Sequence, residues 1–257
     1  MHTDDLDAQI TSPLGAWPGD LDQRQVFRMK GRRLSASEHA AVSMIKNERL
    51  VLKSFYDLNG KDVAPQVTTE LRMMLLAGED VSVKVEGRYI IRSKLQGFIM
   101  PCETLLDLEL PKAIKRDWIE QLQSLVRRVH NKGIIHSDIK PDNILLRKSD
   151  GRLIFCDWGS AQLKSEGKPL HQGTYLSPWR CRQYYNDLDP PLCEADDLYA
   201  LGVTIWHIWV GRPPFDADIA NLDWEIAHGL KPDLDAVDDE KVRSLIGIYL
   251  DAAPAGA

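Results

Sequence analysis

The sequence predicts an α+β fold of two lobes: a small β-rich first lobe carrying one main helix, and a larger second lobe that is mainly helical. Three observations carry that expectation. Segments rich in β-branched and apolar residues crowd the first part of the chain, broken by a single helical stretch. In "PKAIKRDWIEQLQSLVRRVHNKG", Ile114, Trp118, Leu122, Leu125 and Val129 recur at helical spacing. Further on, "ALGVTIWHIWVG" (200–211) is apolar nearly all round apart from His207, as a central buried helix is, and too short to span a bilayer.

Taken in order, residues 1–20 mix Asp, Pro and Gly with little periodicity, so a flexible N-terminal tail is expected there. The first lobe is assigned to 21–101. "VFRMK" (26–30), "AVSMIKN" (41–47) and "ERLVLKSF" (48–55) read as strands, with a turn at Asn47–Glu48–Arg49. "PQVTTELRMMLLAGE" (65–79) reads as a helix, with Leu71, Met74 and Leu75 on one face and Gly78 at its C-terminal end. "VSVKVEGRYIIRSKLQGFIMP" (81–101) reads as two strands around Gly87, with Gly97 a further break. The second lobe is assigned to 102–252 and a short C-terminal tail to 253–257. In it Pro111 begins the long helix and Gly133 ends it. "ILLRK", the turn "SDG" (149–151) and "RLIFCD" form a hairpin.

Apolar residues make up 44% of the 257 and charged ones 27%, the balance of a globular protein with a real core. The net charge of −6 argues against nucleic-acid and membrane-surface binding. The N-terminus is acidic and shows no secretory or transit pattern. Cys102, Cys156, Cys181 and Cys193 form no C-x-x-C pair, which points to reduced thiols in a cytoplasmic or nuclear setting. Oligomeric state has no signature here.

The stretch "HSDIKPDN" (136–143) carries the chemistry. It sets Asp138, Lys140 and Asn143 after an apolar strand-like run, and "DWG" (157–159) follows beyond the hairpin. Phosphoryl transfer needs one carboxylate near the acceptor hydroxyl, a second carboxylate and an amide oxygen for magnesium, and cations against the developing charge. These groups stand here in that order. Each taken singly is an ordinary solvated loop residue.

Together they resemble the eukaryotic-type protein kinase superfamily, in a compact Ser/Thr form, over about residues 25–215. The pattern H-R-D-x-x-x-x-N is matched by "HSDIKPDN" and D-F-G by "DWG". The resemblance implies a bilobal kinase-like fold, with Asp138 as catalytic base and Asn143 and Asp157 as magnesium ligands. Lys140 would contact the γ-phosphate and the acceptor. Lys53 in "LVLK" and Glu70 in "TTELRMM" match the strand lysine and its helix glutamate. Val42, Val51 and Leu145 match the positions that sandwich adenine. "IMPCE" (99–103), with Met100 and Cys102, matches the hinge that binds the adenine edge. Pro101 lacks an N–H, so carbonyls and the Cys102 amide are the candidate groups. The implied activity is ATP- and magnesium-dependent phosphorylation of Ser/Thr hydroxyls in a protein substrate.

The sequence also departs from the family. Its G-x-G-x-x-G-x-V loop appears as "SASEHAAV" (35–42), with Ser35, Ser37 and Ala40 at the glycine positions. Small side chains keep backbone approach to phosphate open, but free access to positive φ is lost. Ser137 replaces the arginine before the catalytic aspartate. Thr174 and Pro178 match the end of an activation segment, yet Trp179 and Arg180 stand where a glutamate is expected, which leaves its anchoring open. Asp197 matches the aspartate that caps the catalytic-loop backbone. The stretch after Phe215 is short for the family's closing helices. These departures keep two alternatives: a pseudokinase that binds without turnover, and a small-molecule phosphotransferase of the same superfamily.

Overall fold

The computed structural model describes residues 3–37, 39–45, 49–57, 59–169 and 173–254. The chain divides into two compact units. One runs to Thr104 and also takes in Asp157–Gly159; the other holds Leu105–Cys156 and the chain from Ser160 on. The first is built on a sheet and the second mainly on helices, the α+β class expected from the sequence.

In the first unit the elements are α1 (Thr3–Ile10), β1 (Leu21–Asp22), α2 (Gln23–Met29), β2 (Lys30–Ala36), β3 (Ala40–Ile45), β4 (Leu50–Phe55), α3 (Ala64–Ala77), β5 (Gly87–Ile91) and β6 (Lys94–Pro101). The sheet order is β1-β5-β6-β4-β3-β2, with β1 parallel to β5 and the other pairs antiparallel. Along β3 burial alternates strictly, so Ala41, Ser43 and Ile45 face inward. Helix α3 packs on β6 and buries Val67, Leu71, Met73 and Met74. The amide of Gly78, at φ 76°, closes α3 by donating to the Met74 carbonyl.

Several expectations are corrected here. "VFRMK" is not a strand: Val26–Met29 fall in α2, where Val26 alone is buried and Phe27 is 84% exposed, and only Lys30 begins β2. Asp22 and Gln25 cap this helix reciprocally, each backbone N–H donating to the other's side chain at 2.8 Å. Gly87 does not separate two strands but opens β5. The turn between β5 and β6 is Arg92–Ser93, both at positive φ. Arg and Ser are poor markers of such a turn, which favours Asn-Gly. Gly97 is no break: it lies inside β6, where a Cβ would stand 2.1 Å from the Lys53 carbonyl oxygen on β4. Of the expected Asn47–Glu48–Arg49 turn, Asn47 and Glu48 lie outside the described residues.

The first twenty residues, expected as a tail, include α1, whose Leu6 and Ile10 are buried. The loop after it is stitched to β5. Gly19 and Gly87 meet backbone to backbone, too close for a Cβ on either. The Asp20 carboxylate accepts from the Arg88 backbone and guanidinium, at side-chain exposures of 1% and 0%. Arg88 also donates to the carbonyls of Ile10, Ser12 and Pro13. The low hydrophobicity of this stretch hid it, because it is held by an ion pair rather than an apolar stripe.

Strand β7 (Thr104–Leu105) leads into the second unit, which contains α4 (Lys112–Asn131), β8 (Ile134–Ile135), β9 (Ile144–Leu146), β10 (Leu153–Phe155), β11 (Gln162–Leu163), α5 (Pro178–Tyr185), α6 (Glu194–Val210), α7 (Leu222–Ala227) and α8 (Glu240–Leu250). Helix α4 buries Trp118, Leu122, Leu125 and Val129 as its periodicity implies. Ile114 is an exception, 40% exposed. Lys115 turns inward instead and donates to the Trp209 carbonyl at 3.3 Å. Helix α6 is buried on almost every face, and Gly202 lets it approach Tyr249 of α8 so closely that a Cβ would lie 2.7 Å away. β9 and β10 form the expected antiparallel hairpin. Among the described residues no helix is long and apolar enough to cross a membrane.

Candidate active site

In the first unit β4 carries Lys53 into the sheet interior and α3 carries Glu70 toward it. The ammonium donates to Glu70 at 2.7 and 3.0 Å and to Asp157 at 2.9 Å. Burial works against the Lys53 charge, but the two carboxylates outweigh it and hold the pKa above that of an ordinary lysine. Glu70 is 1% exposed; burial pushes its carboxyl up, against the pull of Lys53. Glu70 also accepts the Trp158 amide at 3.3 Å, which fixes the "DWG" stretch to α3. Asp157 itself sits at φ 59°, in the left-handed region that non-glycine residues seldom enter. Gly97, unnoticed as a site residue, is what lets β6 lie close along the strand that bears Lys53.

The hairpin tip between β2 and β3 holds the three positions matched to glycines. Ser35 pairs with Val42 in register. Ser37 closes the tip: its amide donates to Ala40 O at 2.8 Å, and its hydroxyl oxygen accepts from the amides of His39 and Ala40 at 3.3 and 3.1 Å. The Tyr56 hydroxyl donates to the Ser37 carbonyl. Glu38, within the matched loop, lies outside the described residues. Val42 is half-buried, while Val51 and Met100 are buried in the same sheet. The Cys102 amide, expected as a hinge donor, instead donates to Arg49 O at 2.9 Å. That bond lies one residue beyond the last ladder pair of β4 and β6, Leu50 with Pro101.

In the second unit β8 leads into His136, which is fully buried and stacks on Phe155 at 4.4 Å. Asp138 follows. Its Oδ1 accepts from the Thr174 hydroxyl at 2.8 Å, and its Oδ2 from Asn143 Nδ2 at 2.8 Å. Lys140 Nζ stands 2.7 Å from Asp138 Oδ2 and 3.0 Å from Thr174 Oγ1. Asn143 is buried on the short turn Pro141–Asn143, and its Nδ2 also donates to the Asp138 carbonyl. That orientation leaves Oδ1 as the acceptor end of the amide. Leu145 is half-buried on β9.

Asp197 organises the loop from beneath. It accepts the amides of His136 and Ser137 at 2.9 and 2.8 Å, and His130 Nε2 at 2.8 Å. The capping aspartate was legible in the sequence; His130, one more polar residue on α4, was not. Ser137 takes φ 69°, so the residue before Asp138 holds a left-handed turn.

The activation-like segment is anchored by charge of the opposite sense to that expected. Arg180, on α5, binds Asp196 through two hydrogen bonds of 3.0 and 2.6 Å, with both side chains buried. It also donates to the carbonyls of Pro190 and Pro191. Leu170, His171 and Gln172, within the same segment, lie outside the described residues.

A family model described as protein kinase domain matches residues 45–243. The chain is 28% identical over 165 residues to serine/threonine-protein kinase PknA of Nostoc sp., covering 60% of this chain and 29% of that protein. It is 31% identical over 135 residues to human 3-phosphoinositide-dependent protein kinase 1, covering 51% of this chain and 24% of that protein. The chain thus spans less than a third of the length of these relatives.

Proposed function

This chain belongs to the protein kinase domain family, and on that premise we propose that it transfers the γ-phosphoryl group of ATP to Ser or Thr hydroxyls of a protein substrate, in a magnesium-dependent reaction. The observation that carries this reading is Asp138: one carboxylate oxygen already accepts an alcohol proton, that of Thr174, while Lys140 contacts both groups. A substrate hydroxyl placed like that of Thr174 would give its proton to the same oxygen. Lys140 would balance the charge gathering on the acceptor. Lys53, held protonated by Glu70 and Asp157, would bind phosphate oxygens.

Asn143 in the second unit presents an amide oxygen and Asp157 in the first a carboxylate oxygen, each a hard donor of the kind magnesium prefers, and by the family resemblance each would serve as one of its ligands. Magnesium would neutralise phosphate charge. By the family resemblance, Val42, Val51 and Leu145 would each offer an apolar side chain to adenine, and carbonyls near Met100 and Cys102 would meet its edge. The four cysteines form no C-x-x-C pair in the sequence, which supports a reducing compartment, cytoplasm or nucleus.

A second reading, binding without turnover, is favoured by the Ser37 tip. There two backbone amides that a glycine loop would leave for phosphate are taken by a serine side chain. Radiolabelled ATP with magnesium and a generic basic protein separates the two. Label transferred to the protein supports catalysis, and saturable magnesium–ATP binding with no transfer supports the second reading.

A further inference from the structure

Helices α5 and α7 are joined by a small core of Cys181, Ile226 and Ala227. Beside that core lies an exposed aromatic chain. Tyr184 meets Tyr185 edge-on at 5.6 Å, Tyr185 meets Trp224 edge-on at 5.0 Å, and Trp224 lies against His228 at 4.0 Å. Tyr184 is 69% exposed, Tyr185 40% and Trp224 45%. Single exposed aromatics are ordinary, but a run of rings in contact across two helices is a patch.

Its surroundings are acidic. Asp187 and Asp189 follow α5, Asp223 and Glu225 lie on α7, and all four are exposed. Burial, and then the Asp223 carboxylate, pushes the Tyr185 phenol above its usual pKa, so that charge lies near the ring. Arg182, on the same helix, donates to the Ala227 carbonyl.

We propose that this face docks a basic peptide segment of a protein partner, with arginine or lysine side chains over the Tyr184 and Trp224 rings and their charges met by the flanking carboxylates. Aromatic faces attract cations, and Tyr and Trp are the residue types that dominate protein interfaces. Carboxylates at the rim speed the encounter with a basic chain and repel an anionic one, which disfavours nucleic acid and anionic membrane. The net charge of −6 disfavours a second copy of this chain. The inference goes beyond phosphoryl transfer and does not depend on it.

The test is fluorescence anisotropy with a short labelled peptide carrying several arginines and one leucine, beside a control with glutamate in place of arginine, without nucleotide. The arginine peptide binds saturably and loses affinity as salt rises. Tyr184→Ala combined with Trp224→Ala weakens it by about tenfold, in keeping with the loss of two cation–π contacts. Asp187→Asn combined with Asp223→Asn weakens it further and flattens the salt dependence. If Trp224→Ala lowers the melting temperature, Tyr184→Ala and the two Asp→Asn changes carry the test alone. Asp138→Asn binds the peptide like the parent, which separates this result from any failure of catalysis. Equal affinity for the glutamate peptide, no binding at all, or unchanged affinity in the variants overturns the proposal. So does a dimer in sedimentation that Tyr184→Ala abolishes, since the face would then be a self-contact.

Discussion

Asp138 is met on both oxygens, by Asn143 on one side and Thr174 on the other, so replacing it with asparagine keeps the shape and removes the proposed base. Asp138→Asn should slow phosphoryl transfer by about 10²–10⁴-fold, measured with labelled ATP, while a thermal-shift titration shows nucleotide binding retained. A parent-like rate would remove the role. On the proposed reading, independence from phosphorylation also turns on single residues. Ser137 has no charge with which to grip a phosphate, and its hydroxyl oxygen is buried without a hydrogen-bond partner among the described residues. Lys164 and Lys168 are already paired with Glu194 and Glu166. Phosphatase treatment and Ser165→Ala should therefore leave the rate unchanged; a large drop mapped to this segment would require another cation. Lys53, Glu70, Asp138, Asn143 and Asp157 were readable as site candidates because such chemistry demands those residue types in a fixed order. Asp196 and His130 were not, since each has the appearance of an ordinary polar residue until the chain folds and its partner arrives.

The segment ahead of β1 and the tip between β2 and β3 behave as elements rather than as residues. Burial alone would raise the Asp20 carboxyl, but hydrogen bonds from Arg88 and the Trp17 amide outweigh it and hold it below the ordinary carboxylate range. A depressed pKa of this kind adds stability above the unfolded value, near 3.8, and loses it as pH falls through the folded one. Asp20→Ala leaves the Arg88 charge buried and should cost about 3–5 kcal/mol near neutral pH, read from urea midpoints. The deficit relative to the parent should shrink as the solution is acidified. At the tip, glycine at Ser35, Ser37 and Ala40 together frees the amides that Ser37 now holds. The triple variant should bind magnesium–ATP at least as tightly as the parent in calorimetry. A several-fold loss with an unchanged melting temperature would mean that the serine cap itself shapes the site. Helices α3, α4 and α6 were legible because apolar periodicity survives in them. Helix α2 was misread because its signal was a capping box, and the short run "VFRMK" matches a strand as well as a helix.

At the scale of the whole molecule, the α+β class, with a sheet in the first part and mainly helices after it, was visible in apolar patterning alone. The return of Asp157–Gly159 to the sheet-bearing unit was not, because it depends on Lys53 and Glu70 pulling "DWG" back across the sequence. The Arg180–Asp196 pair likewise joins stretches with no shared local pattern. Arg180→Ala, which strands Asp196 in the interior, should destabilise the second unit by about 3–5 kcal/mol in a urea titration. The same pair limits how this protein can exchange parts with its kin. An activation-like segment borrowed from a kinase with the usual glutamate would set carboxylate against carboxylate at a buried position, and α6 moved without its arginine would carry an unmatched acid. The two stretches therefore travel as one cassette. In a library of chimeras sorted for folding, crossovers between Arg180 and Asp196 should be depleted relative to crossovers just outside them, and equal frequencies would show that the pair imposes no such linkage.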